Sequence, residues 1–208
     1  MKLHIKAALE ESADAVARLM RDEAALAAIE RAVELLVSAC KERSRVFSCG
    51  NGGSLCDAMH FAEELSGRFR DDRRGLPATA ISDPSHLTCV ANDFSYDQVF
   101  ARYIESHGRA GDVLLAISTS GTSKNIVAAA KAAKELGVTV ITLTGKPGST
   151  VGLLADVDIC TPAGRYSDRV QELHIKVIHI LVEMVERSLF PENYRENNTP
   201  LTNDVRAS

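Results

Sequence analysis

The run from Arg45 to Arg68 constrains the fold more than any other part of the chain. It has the sequence RVFSCGNGGSLCDAMHFAEELSGR. Residues 45–49 are β-prone, residues 50–54 contain three glycines, and residues 55–65 are helix formers without a breaker. This order predicts a strand, a glycine loop and a helix.

The glycine loop is typical of a site that binds an anion. Glycine lets the backbone turn with positive φ and approach a ligand, and the free amides that open the next helix point at that ligand. The dinucleotide fingerprint does not fit, because Leu55 stands where its third glycine would be, and the chain has no P-loop motif. We therefore expect a phosphate or a sugar in this loop and not a nucleotide cofactor.

The helix that follows carries two groups suited to chemistry. His60 and Glu64 are four residues apart, so an imidazole and a carboxylate share one helical face. The spacing alone is compatible with acid/base chemistry or with a metal.

Composition excludes several classes of protein. The 208 residues are 45% hydrophobic, which suits one domain with a real core. A net charge of −4 and a pI near 5.9 argue against nucleic acid as a partner. The N-terminus is unlike a signal peptide and no apolar run has membrane-spanning length, so we expect no membrane partner.

The five cysteines are scattered, odd in number and without a C-x-x-C pair. This pattern indicates neither a disulfide framework nor a zinc ribbon. It favours the reducing cytoplasm.

The remaining chain alternates strands and helices after two N-terminal helices. Helical spacing of apolar residues covers 5–20 and 26–40, and we place these two helices within residues 3–43. Whether they pack on their own sheet or on another subunit stays open. Further strands are predicted at 76–81, 112–117, 138–143 and 157–160, and further helices at 85–90, 97–106, 124–136, 150–155 and 167–189. Continuous apolar strands predict a parallel sheet of about five strands with helices on both faces.

We expect one domain over residues 1–189. Residues 190–208 are rich in Asn, Pro and Thr and lack periodicity. They predict a loose polar tail.

A second small-residue loop follows the most hydrophobic strand. Residues 118–123 read STSGTS and precede a helix. One hydroxyl, from Thr122 or Ser123, would suffice to cap that helix, yet five are present. We therefore favour a second anion site here.

Other polar residues are ambiguous on their own. Asn92 and Asp93 favour turns for purely local reasons. His179 lies in a run that looks buried between residues 177 and 185, where a lone histidine is usually a satisfied core residue.

Taken together, five motifs give the chain a family resemblance. They are GNGGS at 50–54, DAMHFAEEL at 57–65, NDF at 92–94, STSG at 118–121 and QELHIKVIHI at 171–180. In this order they resemble the bacterial phosphoheptose isomerases, which belong to the sugar isomerase (SIS) domain family. The likeness extends to about Leu189.

The resemblance implies a doubly wound α/β fold in a homotetramer. The implied activity converts a small-molecule sugar phosphate, sedoheptulose 7-phosphate, into D-glycero-D-manno-heptose 7-phosphate for the heptose of lipopolysaccharide. It also implies one zinc ion per subunit.

Site residues carry over from the family by position. Substrate contacts fall on Asn51, Gly52, Gly53, Asn92, Asp93, Ser118, Thr119, Ser120, Ser123 and Gln171. The implied catalytic pair is Glu64 and His179, and the implied zinc ligands are His60, Glu64, Gln171 and His179.

These residue types suit aldose–ketose isomerisation. A base must take a proton from C1, a proton must return to C2, and the enediolate between them must be stabilised. Our hypothesis is that Glu64 removes the C1 proton and that His179 moves protons on the oxygens or acts as the reciprocal acid.

Helical spacing adds an expectation about assembly. Gln171 and His179 are eight residues apart, which is about 12 Å along a continuous helix. Both cannot reach one ion at about 2 Å. We therefore expect the site to join chains, with His60 and Glu64 sharing it with Gln171 or His179 of a neighbouring subunit.

The main alternative is a non-catalytic SIS tetramer that binds a replication-initiator protein. Such proteins retain the loops more readily than the acid/base pair. The presence of His60, Glu64 and His179 favours the enzyme.

Overall fold

The computed structural model describes residues 1–194. Its helices are α1 Lys2–Leu19, α2 Glu23–Lys41, α3 Gly53–Ser66, α4 Pro84–Asp93, α5 Val99–His107, α6 Lys124–Glu135 and α7 Ser167–Leu189. Its strands are β1 Val46–Cys49, β2 Ala78–Ala80, β3 Val113–Ser118, β4 Thr139–Thr144 and β5 Val157–Cys160.

The five strands form one parallel sheet in the order β2-β1-β3-β4-β5. This confirms the predicted doubly wound α/β fold with two helices ahead of the first strand. The order reverses at β1, which has β2 on one side and β3 on the other. The loops after β1 and β3 therefore open a crevice at the carboxyl end of the sheet, where ligands bind in folds of this type.

Buried side chains cover both faces of the sheet. On β3, Val113, Leu115 and Ile117 join a core with α2, α3 and α7, while Leu114 and Ala116 join a core with α5 and α6. Alternate residues thus face different layers, and both layers are apolar. This is why the strand appears in the sequence as an unbroken hydrophobic run.

The two N-terminal helices differ in how they pack. Helix α2 buries Ile29 and Leu36 in the core of its own chain. Helix α1 buries only Ala15 and leaves Leu3 82% and Leu9 66% exposed. The apolar face of α1 therefore remains largely uncovered in the single chain.

Two helical predictions differ in detail. Helix α4 runs on to include Asn92 and Asp93, which the sequence placed in a turn. It starts firmly because Pro84 occupies its first turn and the Asp83 carboxylate accepts a hydrogen bond from the His86 amide at 2.8 Å. The helix predicted at 150–155 is only a 3-10 turn, Gly152–Leu154.

The start of the predicted tail is packed and not loose. Phe190 and Tyr194 are buried, and Pro191–Tyr194 forms a 3-10 turn. The tyrosine hydroxyl donates to the Glu186 carboxylate at 2.9 Å, which holds this turn against α7. Residues 195–208 of the predicted tail lie outside the described part of the chain.

Within residues 1–194, none of the helices combines the length and the hydropathy needed to cross a bilayer.

Candidate active site

Paired side-chain amides join the two loops of the crevice. The Asn51 amide donates to Asn125 Oδ1 at 2.9 Å, and the Asn125 amide donates back to Asn51 Oδ1 at 2.8 Å. The Tyr96 hydroxyl also donates to Asn51 Oδ1 at 2.9 Å. The glycine loop after β1 is therefore fixed beside the first turn of α6.

The glycine loop approaches α7 closely. A Cβ atom at Gly53 would lie 2.7 Å from the Gln171 side-chain nitrogen, so a larger residue here would displace the Gln171 amide from its present position. Gly52 has φ +56°, a conformation that glycine adopts without strain. The structure thus brings Asn51, Gly52, Gly53 and Gln171 together at the N-terminus of α3.

The second loop turns sharply around Ser118. Its hydroxyl accepts from the Gly121 amide at 3.1 Å and lies 3.4 Å from the Ser123 hydroxyl. The Ser120 hydroxyl accepts from the Thr122 amide at 3.3 Å. No side-chain hydrogen bond from Ser123 caps α6. Because Ser123 does not act as a side-chain cap, the loop favours the anion site over a simple cap.

A cavity of about 340 Å³ lies beside Thr119 and Ser120. Lys146, Arg165 and Tyr166 also line it. The two basic residues favour an anion at this end of the crevice. Neither belongs to a motif, so sequence reasoning missed them.

The predicted acid/base residues meet at the packed surfaces of α3 and α7. His60 Nε2 lies 3.1 Å from Glu64 Oε1 and 3.2 Å from His179 Nε2. One ligand atom from each residue lies within 4.8 Å of the others. The three residues come from one chain, so His179 is not needed from a neighbouring subunit, and of the two residues that we expected there only Gln171 stays a prediction.

Helix packing explains why the cluster forms in one chain. Gly53 faces Gln171 at one end of the α3–α7 contact, and His60 faces His179 two turns further on. The two helices therefore run side by side over this length. Gln171 and His179 lie eight residues apart on α7, which is about 12 Å along the helix axis. Gln171 of the same chain therefore lies away from the cluster.

The three side chains form a suitable donor set for a metal ion. One possible ligand atom from each residue lies within 4.8 Å of the others, so a single ion between them could contact all three. Two imidazoles and one carboxylate are one of the known ligand sets of catalytic zinc, which leaves a fourth position open. Separations of 3.1 and 3.2 Å between donor atoms suit ligands placed about 2 Å from one ion.

The surroundings of His179 disfavour its charged form. Burial lowers its pKa, and the neighbouring His60, Lys176 and Arg70 lower it further, while the Glu64 carboxylate opposes them. A neutral imidazole can bind a metal or accept a proton, which is what either proposed role requires.

Comparisons with known proteins identify the family of the chain. The sequence profile of the SIS domain family matches residues 9–145. Phosphoheptose isomerases from Enterobacter sp. (strain 638) and Klebsiella pneumoniae are 56% and 57% identical to the chain over 185 residues, covering 89% of this chain and 96% of each relative. The chain belongs to the phosphoheptose isomerase family.

Solved structures of the family have the same fold. The phosphoheptose isomerase from Neisseria gonorrhoeae is 36% identical with a TM-score of 0.82, covering 89% of this chain and 98% of its own. The one from Francisella tularensis is 32% identical with a TM-score of 0.83, covering 90% and 99%. These values confirm the resemblance inferred from the five motifs.

Not every predicted residue of this phosphoheptose isomerase family member joins the crevice contacts. Asn92 and Asp93 are exposed at the end of α4, where the Asn92 amide donates to Asp93 Oδ1 at 2.8 Å. The Cys89 thiol also lies 3.4 Å from Asp93 Oδ2. Within residues 1–194, neither is hydrogen-bonded to the two loops, and their ligand role stays a prediction.

Sequence reasoning missed Asp57, which lies on the active face of α3. It is one turn before His60, and that i, i+3 spacing was a usable signal. Burial raises the Asp57 pKa to about 6, and the neighbouring His60 limits the rise. Its Oδ2 is buried without a hydrogen-bond partner within residues 1–194.

His174 was also missed, and it lies fully buried on α7, three residues after Gln171 in the sequence. Burial lowers its pKa to about 4, although the Thr144 carbonyl partly opposes the shift. Neither ring nitrogen reaches a hydrogen bond of normal geometry within residues 1–194. The ring therefore resists protonation as long as the chain is folded.

We expect His174→Leu to flatten the pH dependence of stability. The unfolded histidine binds a proton below about pH 6.5, whereas the folded one does so only near pH 4. The contribution of His174 to the free energy of unfolding is therefore fully present above pH 6.5. It falls by about 1.4 kcal/mol per pH unit as the pH drops from there toward 4. Urea unfolding at pH 7.5, 6.0 and 5.0 measures this. If the free energy of unfolding falls with pH equally in wild type and variant, the expectation is wrong. The control is His107→Leu, at the exposed end of α5, which should keep the pH dependence of wild type.

Proposed function

We propose that the protein converts sedoheptulose 7-phosphate into D-glycero-D-manno-heptose 7-phosphate, in the cytoplasm, as the first step of ADP-heptose synthesis for lipopolysaccharide. The observation that carries the proposal is the cluster of His60, Glu64 and His179 within 4.8 Å. The five cysteines are all free, which supports a reducing compartment.

The crevice suggests how the substrate lies. The phosphate would bind at the hydroxyls of Ser118, Thr119, Ser120 and Ser123, where the start of α6 and nearby basic residues favour an anion. The sugar hydroxyls would meet the Asn51–Gly53 loop and Gln171. The carbonyl end would then reach the cluster on α3.

Proton transfer follows from the positions of Glu64 and His179. The Glu64 carboxylate removes a proton from C1 of the ketose, and the same proton or one from solvent is delivered to C2. Neutral His179 moves protons between the oxygens on C1 and C2 and so limits charge on the enediolate. The result is an aldehyde at C1 and a hydroxyl at C2.

We further propose that the cluster binds zinc through His60, Glu64 and His179. A bound zinc ion polarises a carbonyl as a Lewis acid. A carboxylate that binds a metal is a weaker base, so zinc binding and proton removal compete for Glu64. Metal content and activity must therefore be measured together.

The fourth zinc ligand is proposed to be Gln171 of a neighbouring subunit in a homotetramer. Gln171 of the same chain lies by Gly53, away from His179. Leu3, Ile5 and Leu9 on α1 are 82%, 56% and 66% exposed, and this apolar face supports burial against another copy.

Mixed oligomers test the shared site. Subunits with Glu64→Gln and subunits with Gln171→Ala should each be inactive alone. Refolding them together should restore activity, because some sites then combine the intact Glu64 of one subunit with the intact Gln171 of another. Mixtures that stay as inactive as the parents would show that each site is built from one chain.

The function itself is tested by incubating purified protein with sedoheptulose 7-phosphate and following the products by NMR. We expect an aldoheptose 7-phosphate to accumulate, and the assay is repeated after treatment with a chelator and after adding zinc, so that the effect of the metal on the rate is measured directly. Absence of product under every metal condition would overturn the proposal. It would also revive the non-catalytic alternative, which a binding assay with a replication-initiator protein would then test.

A further inference from the structure

A buried network beyond the cluster joins the end of α3 to α7. The Arg73 side chain is 1% exposed and its Nε donates to Glu186 Oε1 at 2.7 Å. The other Glu186 oxygen accepts from the Tyr194 hydroxyl at 2.9 Å. None of these three residues is assigned to the substrate or to the metal.

Arg73 also caps the helix that carries Glu64. Its Nη2 donates to the Glu64 carbonyl at 2.6 Å, and its Nη1 donates to the carbonyls of Leu65 at 2.8 Å and Gly67 at 2.7 Å. The last four carbonyls of a helix have no partner within the helix, so its final turn frays unless other groups supply donors. Glu64 lies in the final turn of α3, and α3 has no basic residue in that turn.

The Arg73 guanidinium connects α3, which carries Glu64, with α7, which carries His179. Glu186 lies seven residues after His179, which is two turns along the same face of α7. The α3–α7 contact is thus fixed at His60–His179 and again at Arg73–Glu186. A guanidinium presents its donors in a rigid planar fork, which fixes direction as well as distance.

We propose that Arg73 is a positioning residue for the isomerase reaction. It holds the last turn of α3 so that the Glu64 carboxylate keeps its place opposite His179, and Glu186 and Tyr194 hold Arg73. This inference rests on the proposed function, because it assigns Arg73 to the placement of the proposed base.

The test compares Arg73→Lys with wild type in steady-state kinetics. Lysine keeps the charge, but its three N–H donors on a single nitrogen cannot serve Glu186 and all three carbonyls at once. We expect kcat to fall by about ten- to a hundred-fold, since a displacement near 1 Å has an effect of that size. We expect KM to change by less than about twofold, because the phosphate loops are untouched.

Two further variants complete the design. Glu186→Gln keeps the size and the hydrogen-bond acceptor while it removes the charge, so it should fold and show a smaller loss of kcat in the same direction. Arg31→Lys is the matched control, since Arg31 lies on the exposed face of α2 and pairs there with Glu34. The control should keep wild-type kcat.

Amide hydrogen exchange separates positioning from a general structural role. Positioning predicts faster exchange in residues 61–67 of the variants and unchanged exchange in α5. Wild-type kcat in both folded variants, exchange that rises evenly over the chain, or failure of both variants to fold would overturn the inference. If wild type does not turn over sedoheptulose 7-phosphate, the proposed function fails, and the exchange experiment still decides whether Arg73 holds the end of α3.

Discussion

Glu64→Gln should lower kcat for sedoheptulose 7-phosphate by about a thousand-fold or more. Glutamine has nearly the same shape but cannot accept the C1 proton, and general-base catalysis contributes about 10²–10⁴-fold. Since the Glu64 side chain lies 3.1 Å from His60, the amide can still hydrogen-bond there, and we expect the fold to survive.

The experiment must separate loss of the base from loss of the metal. Kinetics are measured at saturating zinc, and the metal content of each sample is determined by mass spectrometry. A Glu64→Gln protein that binds zinc fully and remains inactive supports the role of base. Activity within about tenfold of wild type would remove Glu64 from that role.

His179→Gln should lower kcat by about a hundred-fold and also reduce the zinc content. The substitution removes one of three converging donors, so the remaining pair binds the ion more weakly. It also removes the imidazole that moves protons between the substrate oxygens. Steady-state kinetics and metal analysis of the same preparations measure both effects.

His107→Gln provides the control for this second substitution. His107 is exposed at the end of α5 and faces the Tyr103 carbonyl, away from the cluster. Full zinc content and full activity in His179→Gln would show that the histidine is structural, as a lone imidazole in an apolar helix usually is.

Local patterns predicted the fold well because its elements follow strong periodicities. Helix α7 and strand β5 have the predicted bounds, 167–189 and 157–160. Helices α3 and α4 begin earlier than predicted. Gly53 is already helical at the start of α3, and the Asp83 side chain caps α4 so that it starts at Pro84. The first residue of a helix depends on such capping contacts, and the periodicity of apolar residues does not predict them.

The candidate site was only partly visible in the sequence. The i, i+4 pair His60 and Glu64 was recognisable from spacing, whereas the role of His179 came from the family resemblance, because its contact with His60 spans 119 positions. Asn125 was missed for the same reason, since its partner Asn51 is 74 positions away. Arg73 was missed because it stands in a charged stretch, residues 70–74, which predicts exposure. In the folded chain its side chain is buried.

Isomerisation in D2O tests the central claim that Glu64 carries a proton between C1 and C2. We predict that wild type yields an aldoheptose 7-phosphate with deuterium at C2, because the proton held by the carboxylate exchanges with solvent, and that Glu64→Gln yields none. A product that retains only the original C1 hydrogen at C2, formed equally fast by Glu64→Gln, would contradict this account.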